Sequence, residues 1–384
     1  MPVLFALGFR PFFLLAGFFA FFLVAAWVAI FVGGFSFTTY YGQIGWHSHE
    51  MIFGYASAVA AGFLLTAVRN WTERPTPTGG SLAAMAALWL GGRIMPLFPE
   101  AFPGWLIALV DLTFLPVVAV GIGVPLVQKG EKRNLGFLLI LAGLFIGNFQ
   151  VHLELLGYPQ QLARKGVFLG LDLVVLLIVI MGGRVIPFFT ERALQGVAIK
   201  RRPLIEWLAP ISALVFLVAE LFAAGGLIVG VCAASAAIIN GIRLASWYTH
   251  RFWRVPLLWV LHLGYGWVVA GFCLAAAAAF RTIPQQGTTH AFTAGGIGVL
   301  TLGMMARVAL GHTGRPLRVG PAMAVAFALV NLAAVLRSLL PIWYPQRLAE
   351  LVAFGGVFWS IAFLIFLVIY TPILTQPRID GRPG

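Results

Sequence analysis

Three ionisable side chains within four residues, placed where a long apolar segment begins, are the part of this sequence best suited to chemistry. They belong to the tetrad His47-Ser48-His49-Glu50, which opens an apolar segment expected over 46–68. Ionisable groups at membrane depth are costly and mark functional sites, and imidazole is a favoured ligand of copper, zinc and haem iron. We therefore predict a metal or haem site at this tetrad.

The composition places the tetrad in an integral membrane protein. Apolar residues make up 61% of the chain, charged residues only 10%, and the mean hydropathy is +0.96. An apolar stretch of about 20 residues is long enough to cross a bilayer as a helix. Twelve such stretches are predicted, over 11–33, 46–68, 81–98, 105–127, 135–156, 166–188, 206–223, 226–248, 256–280, 289–310, 321–341 and 348–371. We expect an all-α fold, a polytopic membrane helical bundle with 1–384 as a single integral membrane domain.

The basic residues indicate how this bundle is oriented. The net charge is +13, but the charges concentrate in alternate connections, which marks a cytoplasmic membrane face and not a nucleic-acid-binding surface. Sixteen lie at the termini and in the connections after the even-numbered spans: Arg10, Arg69, Arg74, Lys129, Lys132, Arg133, Arg192, Lys200, Arg201, Arg202, Arg251, Arg254, Arg315, Arg318, Arg378 and Arg382. The opposite connections hold four: Arg164, Lys165, Arg281 and Arg347. Both termini are therefore expected in the cytoplasm, and membrane lipid is the expected surrounding partner.

Other polar residues are predicted to lie at the same depth in the bundle as the tetrad. The outer third contains His47, His49, Glu50, Arg93, Asp111, Gln150, His152, Glu154, Asp172 and His290. Four of the seven histidines lie in this layer, and His250, His262 and His312 fall toward the other side. This clustering favours a metal or haem site over isolated structural histidines.

The candidate metal ligands are His47, His49, His152 and His290. Residues two apart on a helix point about 200° apart, so His47 and His49 are not expected on one metal. The preferred arrangement pairs His49 with His290 across a b-type haem. It leaves His47 with His152 near a second metal, copper. Arg93 is assigned to the cofactor site, and the carboxylates expected to orient the ligands are Glu50, Asp111, Glu154 and Asp172.

An internal similarity supports the pairing of the second and tenth spans. Glycines lie 5 and 13 residues after His49 and after His290, and an Arg-Pro pair follows each at 25 and 26 residues. The spacing predicts a parallel structural repeat with a histidine at the outer end of each copy. Chance is the alternative, because glycine accounts for 44 of 384 residues.

Several motifs together resemble the NnrS family of haem- and copper-containing membrane proteins. They are Leu7-Gly8-Phe9-Arg10-Pro11-Phe12-Phe13, Trp46-His47-Ser48-His49-Glu50-Met51, Gly91-Gly92-Arg93-Ile94-Met95-Pro96, Gly182-Gly183-Arg184-Val185-Ile186-Pro187 and Gly311-His312-Thr313-Gly314-Arg315-Pro316. The resemblance implies a multi-pass protein of a bacterial inner membrane, associated with nitric oxide metabolism and nitrosative stress. Through the W-H-x-H-E-M motif, it implies ligand roles only for His47 and His49.

Two function classes follow from these residues. The first is a haem- and copper-binding protein that handles nitric oxide or a related small molecule at a site near the periplasmic face. Turnover by such a protein would need an electron donor, and the sequence identifies neither a donor nor a catalytic residue. The second is a proton-coupled secondary transporter of a metal or small anion, whose buried ionisable residues would line the pathway. Cofactor content separates the two classes.

Overall fold

The computed structural model describes residues 2–223 and 226–382, and every regular element in these ranges is helical. The described chain has twelve helices long and apolar enough to cross a membrane, which confirms the predicted fold class. In chain order, α1 to α12 are Phe9–Phe31, Gly42–Thr72, Gly79–Leu97, Gly104–Lys129, Lys132–Leu155, Leu162–Ala193, Pro203–Phe222, Gly226–Ser246, Pro256–Ala279, Gln285–His312, Pro321–Trp343 and Pro345–Thr375. The cytoplasmic location of both termini stays a prediction.

The chain divides into two compact units. Unit 1 is formed by Met1–Gly170, Met305–Pro316 and Phe366–Gly384, and unit 2 by Leu171–Met304 and Leu317–Ile365. Helices α1 to α5 belong wholly to unit 1, whereas α6, α10 and α12 each contribute to both units. The assignment of the whole chain to one membrane domain stays a prediction.

Helix α2 changes its winding immediately after His49. A regular segment, Gln43–His49, passes into a π-helical segment, Glu50–Ala56, before regular winding resumes. In α10 a π-helical segment also begins directly after the corresponding histidine, His290, and covers Ala291–Val299. Wider π turns are often found at functional sites because they re-aim the side chains around them. The two histidines that the sequence similarity aligned therefore share the same local backbone context.

Helices α5 and α6 approach each other closely at two glycines of unit 1. A methyl group on Gly147 would lie 2.7 Å from the backbone oxygen of Gly166, and one on Gly166 would overlap the backbone oxygen of Gly147. Small residues permit such contact between membrane helices. The contact fixes the position of α5, which carries two residues of the site described below.

Replacement of Gly166 by alanine tests this contact. We expect Gly166→Ala to lower the free energy of unfolding by about 1–3 kcal/mol, because the added methyl group must push the two backbones apart. Thermal unfolding in detergent measures the effect. Gly136→Ala is the matched control, since a methyl group there meets no atom within 4 Å. Equal unfolding temperatures for the two variants would contradict the close approach.

The chain segment after α12 is fixed to the end of α10 within unit 1. The Arg378 guanidinium donates to the backbone oxygen of His312 at 2.8 Å, and the Ile379 amide donates to that of Thr313 at 3.2 Å. Arg10, which is fully buried, donates to the backbone oxygens of Leu374 and Gln376. These bonds give the Gly311-His312-Thr313-Gly314 motif a structural role.

Candidate metal centre

His49 is the fully buried centre of a polar cluster in unit 1. Its Nδ1 lies 3.0 Å from Oε1 of Glu50, and its Nε2 lies 2.8 Å from Oδ1 of Asn148. The same Nε2 is 3.3 Å from Oδ2 of Asp111. His49 ends the regular segment of α2 and Glu50 begins the π-helical one, so the contact of their side chains lies where the winding changes.

Helix α5 supplies the opposite side of the cluster. Asn148 and His152 are four residues apart, so they lie on one face of the helix. Nε2 of His152 is 3.0 Å from Oδ2 of Asp111, and Nδ1 is 3.3 Å from the hydroxyl oxygen of Tyr40. The amide nitrogen of Asn148 donates to the same Asp111 oxygen at 2.7 Å. Asp111, on α4, therefore connects α5 with His49.

Arg93, on α3, binds both carboxylates of the cluster. It donates to Oε2 of Glu50 at 2.6 Å through Nη1 and to Oδ1 of Asp111 through Nη2. Arg93 and Asp111, both placed in the outer layer by the sequence analysis, are thus directly paired. Gly92 makes room for it, because a methyl group there would lie 2.7 Å from Oδ1 of Asp111. The Gly-Gly-Arg motif of α3 therefore serves the cluster directly.

The charges of the cluster do not balance without a further cation. Glu50 and Asp111 contribute two negative charges and Arg93 one positive charge, all with side chains no more than 4% exposed. An uncompensated buried charge is costly. Neutral imidazole has only one N–H, yet both ring nitrogens of His49 face oxygen atoms. A proton or a metal ion on the His49 ring would compensate the surplus negative charge and would bind the ring nitrogen that lacks a hydrogen. These residues therefore fit a bound cation.

Three side chains could hold that cation as a metal ion. One ligand atom from each of His49, Asp111 and His152 lies within 4.8 Å of the other two, and all three residues are buried. Two imidazoles and a carboxylate suit copper, zinc or iron and leave coordination positions for other ligands. The second ring nitrogens also have partners that would orient the rings: Glu50 contacts Nδ1 of His49, and Tyr40 contacts Nδ1 of His152.

The other residues assigned from sequence lie elsewhere. The ring of His47 stacks on that of Trp27 at 4.3 Å, whereas His152 is grouped with His49 and Asp111. The pairing of His47 with His152 near copper stays a prediction. Glu154 accepts a hydrogen bond from the Ala163 amide at the start of α6. Asp172 belongs to unit 2, where its carboxyl is hydrogen-bonded to that of Glu220.

His290 also belongs to unit 2, and its Nδ1 donates to the backbone oxygen of Gln286 at 2.9 Å. Its pairing with His49 across a haem stays a prediction.

Sequence reasoning did not identify Tyr40, Tyr41 and Asn148 as members of the cluster. Asn148 carried a usable signal, because a polar amide one helical turn before His152 in an apolar span predicts a partner on the same face. The two tyrosines precede α2 in a connection, and nothing in their spacing predicts that Tyr41 stacks on His49 or that Tyr40 contacts His152.

Comparison with known proteins adds one result. The family model described as NnrS protein matches residues 3–378, nearly the whole chain. No curated protein gives a significant match.

Proposed function

The chain belongs to the NnrS family of nitric-oxide-associated membrane proteins, and we propose that it binds a transition metal through His49, Asp111 and His152 to handle nitric oxide. The main support for this proposal is the surplus negative charge of the buried cluster. A metal cation would compensate that charge and would be bound by a ring nitrogen of His49. Nitric oxide is small and uncharged, so it can reach a buried site through the surrounding lipid. No charged channel is then required.

Each residue of the cluster has a distinct part in this proposal. His49, Asp111 and His152 hold the metal, while Glu50 and Tyr40 orient the two rings through their second nitrogens. Arg93 fixes Glu50 and Asp111 in place and offsets part of their charge. When bound, the metal supplies a coordination position for a small molecule.

Copper is the metal we propose at this position, and haem b is proposed as a separate cofactor. Nε2 of His49 already lies among Asn148 and Asp111, which suits a small ion better than a porphyrin. His290 keeps the proposed role of axial haem ligand, because the Gln286 carbonyl fixes its Nδ1 and thereby its ring. The proposal also keeps the site toward the periplasmic side of a bacterial inner membrane.

Metal analysis and visible spectroscopy of the detergent-purified protein test the proposal. We expect near-stoichiometric copper, together with the bands of a b-type haem in the reduced-minus-oxidised spectrum. Nitric oxide added anaerobically should change the spectrum of the metal-containing protein. Well-folded protein that contains neither metal nor haem would refute the proposal and favour the proton-coupled transporter.

A further inference from the structure

The hydroxyl group of Tyr41 is buried and has no hydrogen-bond partner in the described chain. Tyr41 is 7% exposed as a whole, and its hydroxyl oxygen is closed to solvent. Its neighbour Tyr40 differs, because the Tyr40 hydroxyl is hydrogen-bonded to Nδ1 of His152. Buried polar groups in folded proteins nearly always have a partner, so an unmatched hydroxyl requires an explanation.

Tyr41 lies against the ligands of the candidate metal centre. Its ring stacks on that of His49 with centroids 4.0 Å apart and planes 20° apart. The ring centroid of His152 is 5.7 Å away. Burial raises the pKa of Tyr41 well above its usual value, and the nearby charge of Glu50 raises it further. The ring that bears the unmatched hydroxyl therefore lies beside the proposed metal ligands.

We propose that Tyr41 is a ligand-binding residue whose hydroxyl donates a hydrogen bond to the small molecule held at the metal. This inference rests on the proposed function. His49, Asp111 and His152 provide three ligands and leave a coordination position for another molecule. A molecule bound there would lie beside the rings of His49 and His152, both of which Tyr41 flanks. The outer atom of that molecule would then accept a hydrogen bond from the Tyr41 hydroxyl.

The Tyr41 hydroxyl, as a hydrogen-bond donor, should favour one chemical class of ligand. A hydrogen bond is strongest to an atom that carries negative charge. Small nitrogen oxides such as nitric oxide and nitrite place negative charge on a terminal oxygen when they bind an electron-rich metal. Carbon monoxide, of similar size, is a weaker acceptor. The site should therefore favour nitrogen oxides over carbon monoxide, and Tyr41 should account for part of that preference.

Tyr41→Phe tests this assignment because it removes only the hydroxyl. We expect unchanged metal content, about tenfold weaker binding of nitric oxide and little change for carbon monoxide. In the infrared spectrum of the nitric oxide complex, the N–O stretching band should move to higher wavenumber, because the oxygen loses its hydrogen bond. Thermal unfolding should show no loss of stability, since the removed hydroxyl has no partner within the described protein.

Tyr40→Phe is the matched control. It removes the hydrogen bond to His152 and should therefore weaken metal binding. The expected loss is about 10- to 100-fold, as for other groups that orient a metal-binding histidine. The infrared band of the remaining complex should stay near its original position. If wild-type protein binds metal and nitric oxide but Tyr41→Phe leaves affinity and band unchanged, the Tyr41 inference alone is refuted. Absence of metal from the wild type would refute the proposed function and this inference together.

Discussion

Replacement of His49 by alanine is expected to remove the metal, because loss of a ligand should cost more affinity than loss of a group that orients one, which costs about 10- to 100-fold. The change deletes one of three ligands and leaves Asn148 and Glu50 without the ring that both contact. Asp111→Asn should have a similar effect, because it keeps the shape of the side chain but removes the surplus negative charge. Metal per protein, measured on purified samples of equal monodispersity, checks both expectations.

Two other histidines serve as controls for this experiment. His250 is exposed and belongs to unit 2, so His250→Ala should keep the wild-type metal content. His290→Ala should lose haem b and retain the second metal, because its ring is proposed to ligate haem only. Equal metal content in His49→Ala and His250→Ala would overturn the assignment of the centre.

Replacement of Arg93 by methionine is expected to destabilise the protein by about 3–5 kcal/mol. Arg93 bridges Glu50 and Asp111, and its loss leaves two buried carboxylates without their cationic partner. Methionine retains much of the side-chain volume, so the effect reports the lost charge more than lost packing. Thermal unfolding in detergent and the yield of monodisperse protein measure it.

A matched surface variant and a rescue make the Arg93 experiment specific. Arg318 is exposed, and Arg318→Met should leave the unfolding temperature near that of wild type. Combining Arg93→Met with Glu50→Gln should recover part of the lost stability, since one of the two unpaired buried carboxylates is replaced by a neutral amide. An Arg93→Met protein as stable as Arg318→Met would show that the carboxylates do not depend on this guanidinium.

The sequence by itself determined the class of fold and named several residues of the cluster among its candidates. A bilayer excludes water, so the length and apolarity of each segment sufficed to predict twelve spanning helices. Because charged groups are rare in an apolar span, the same exclusion identified the tetrad that begins at His47, and it identified Arg93 and Asp111 as candidate site residues. Depth placed His152 in the same layer.

Only the tertiary structure decided which of these residues meet. Helical periodicity defines the faces of a helix, but packing against neighbours sets its rotation and closest contacts. The approach of α5 to α6 at Gly147 and Gly166, and the room left by Gly92, belong to that packing. The packed bundle groups His49 with Asp111 and His152, while the ring of His47 stacks on Trp27. Tyr41 was beyond sequence reasoning because a connection has no periodicity that would predict where it folds.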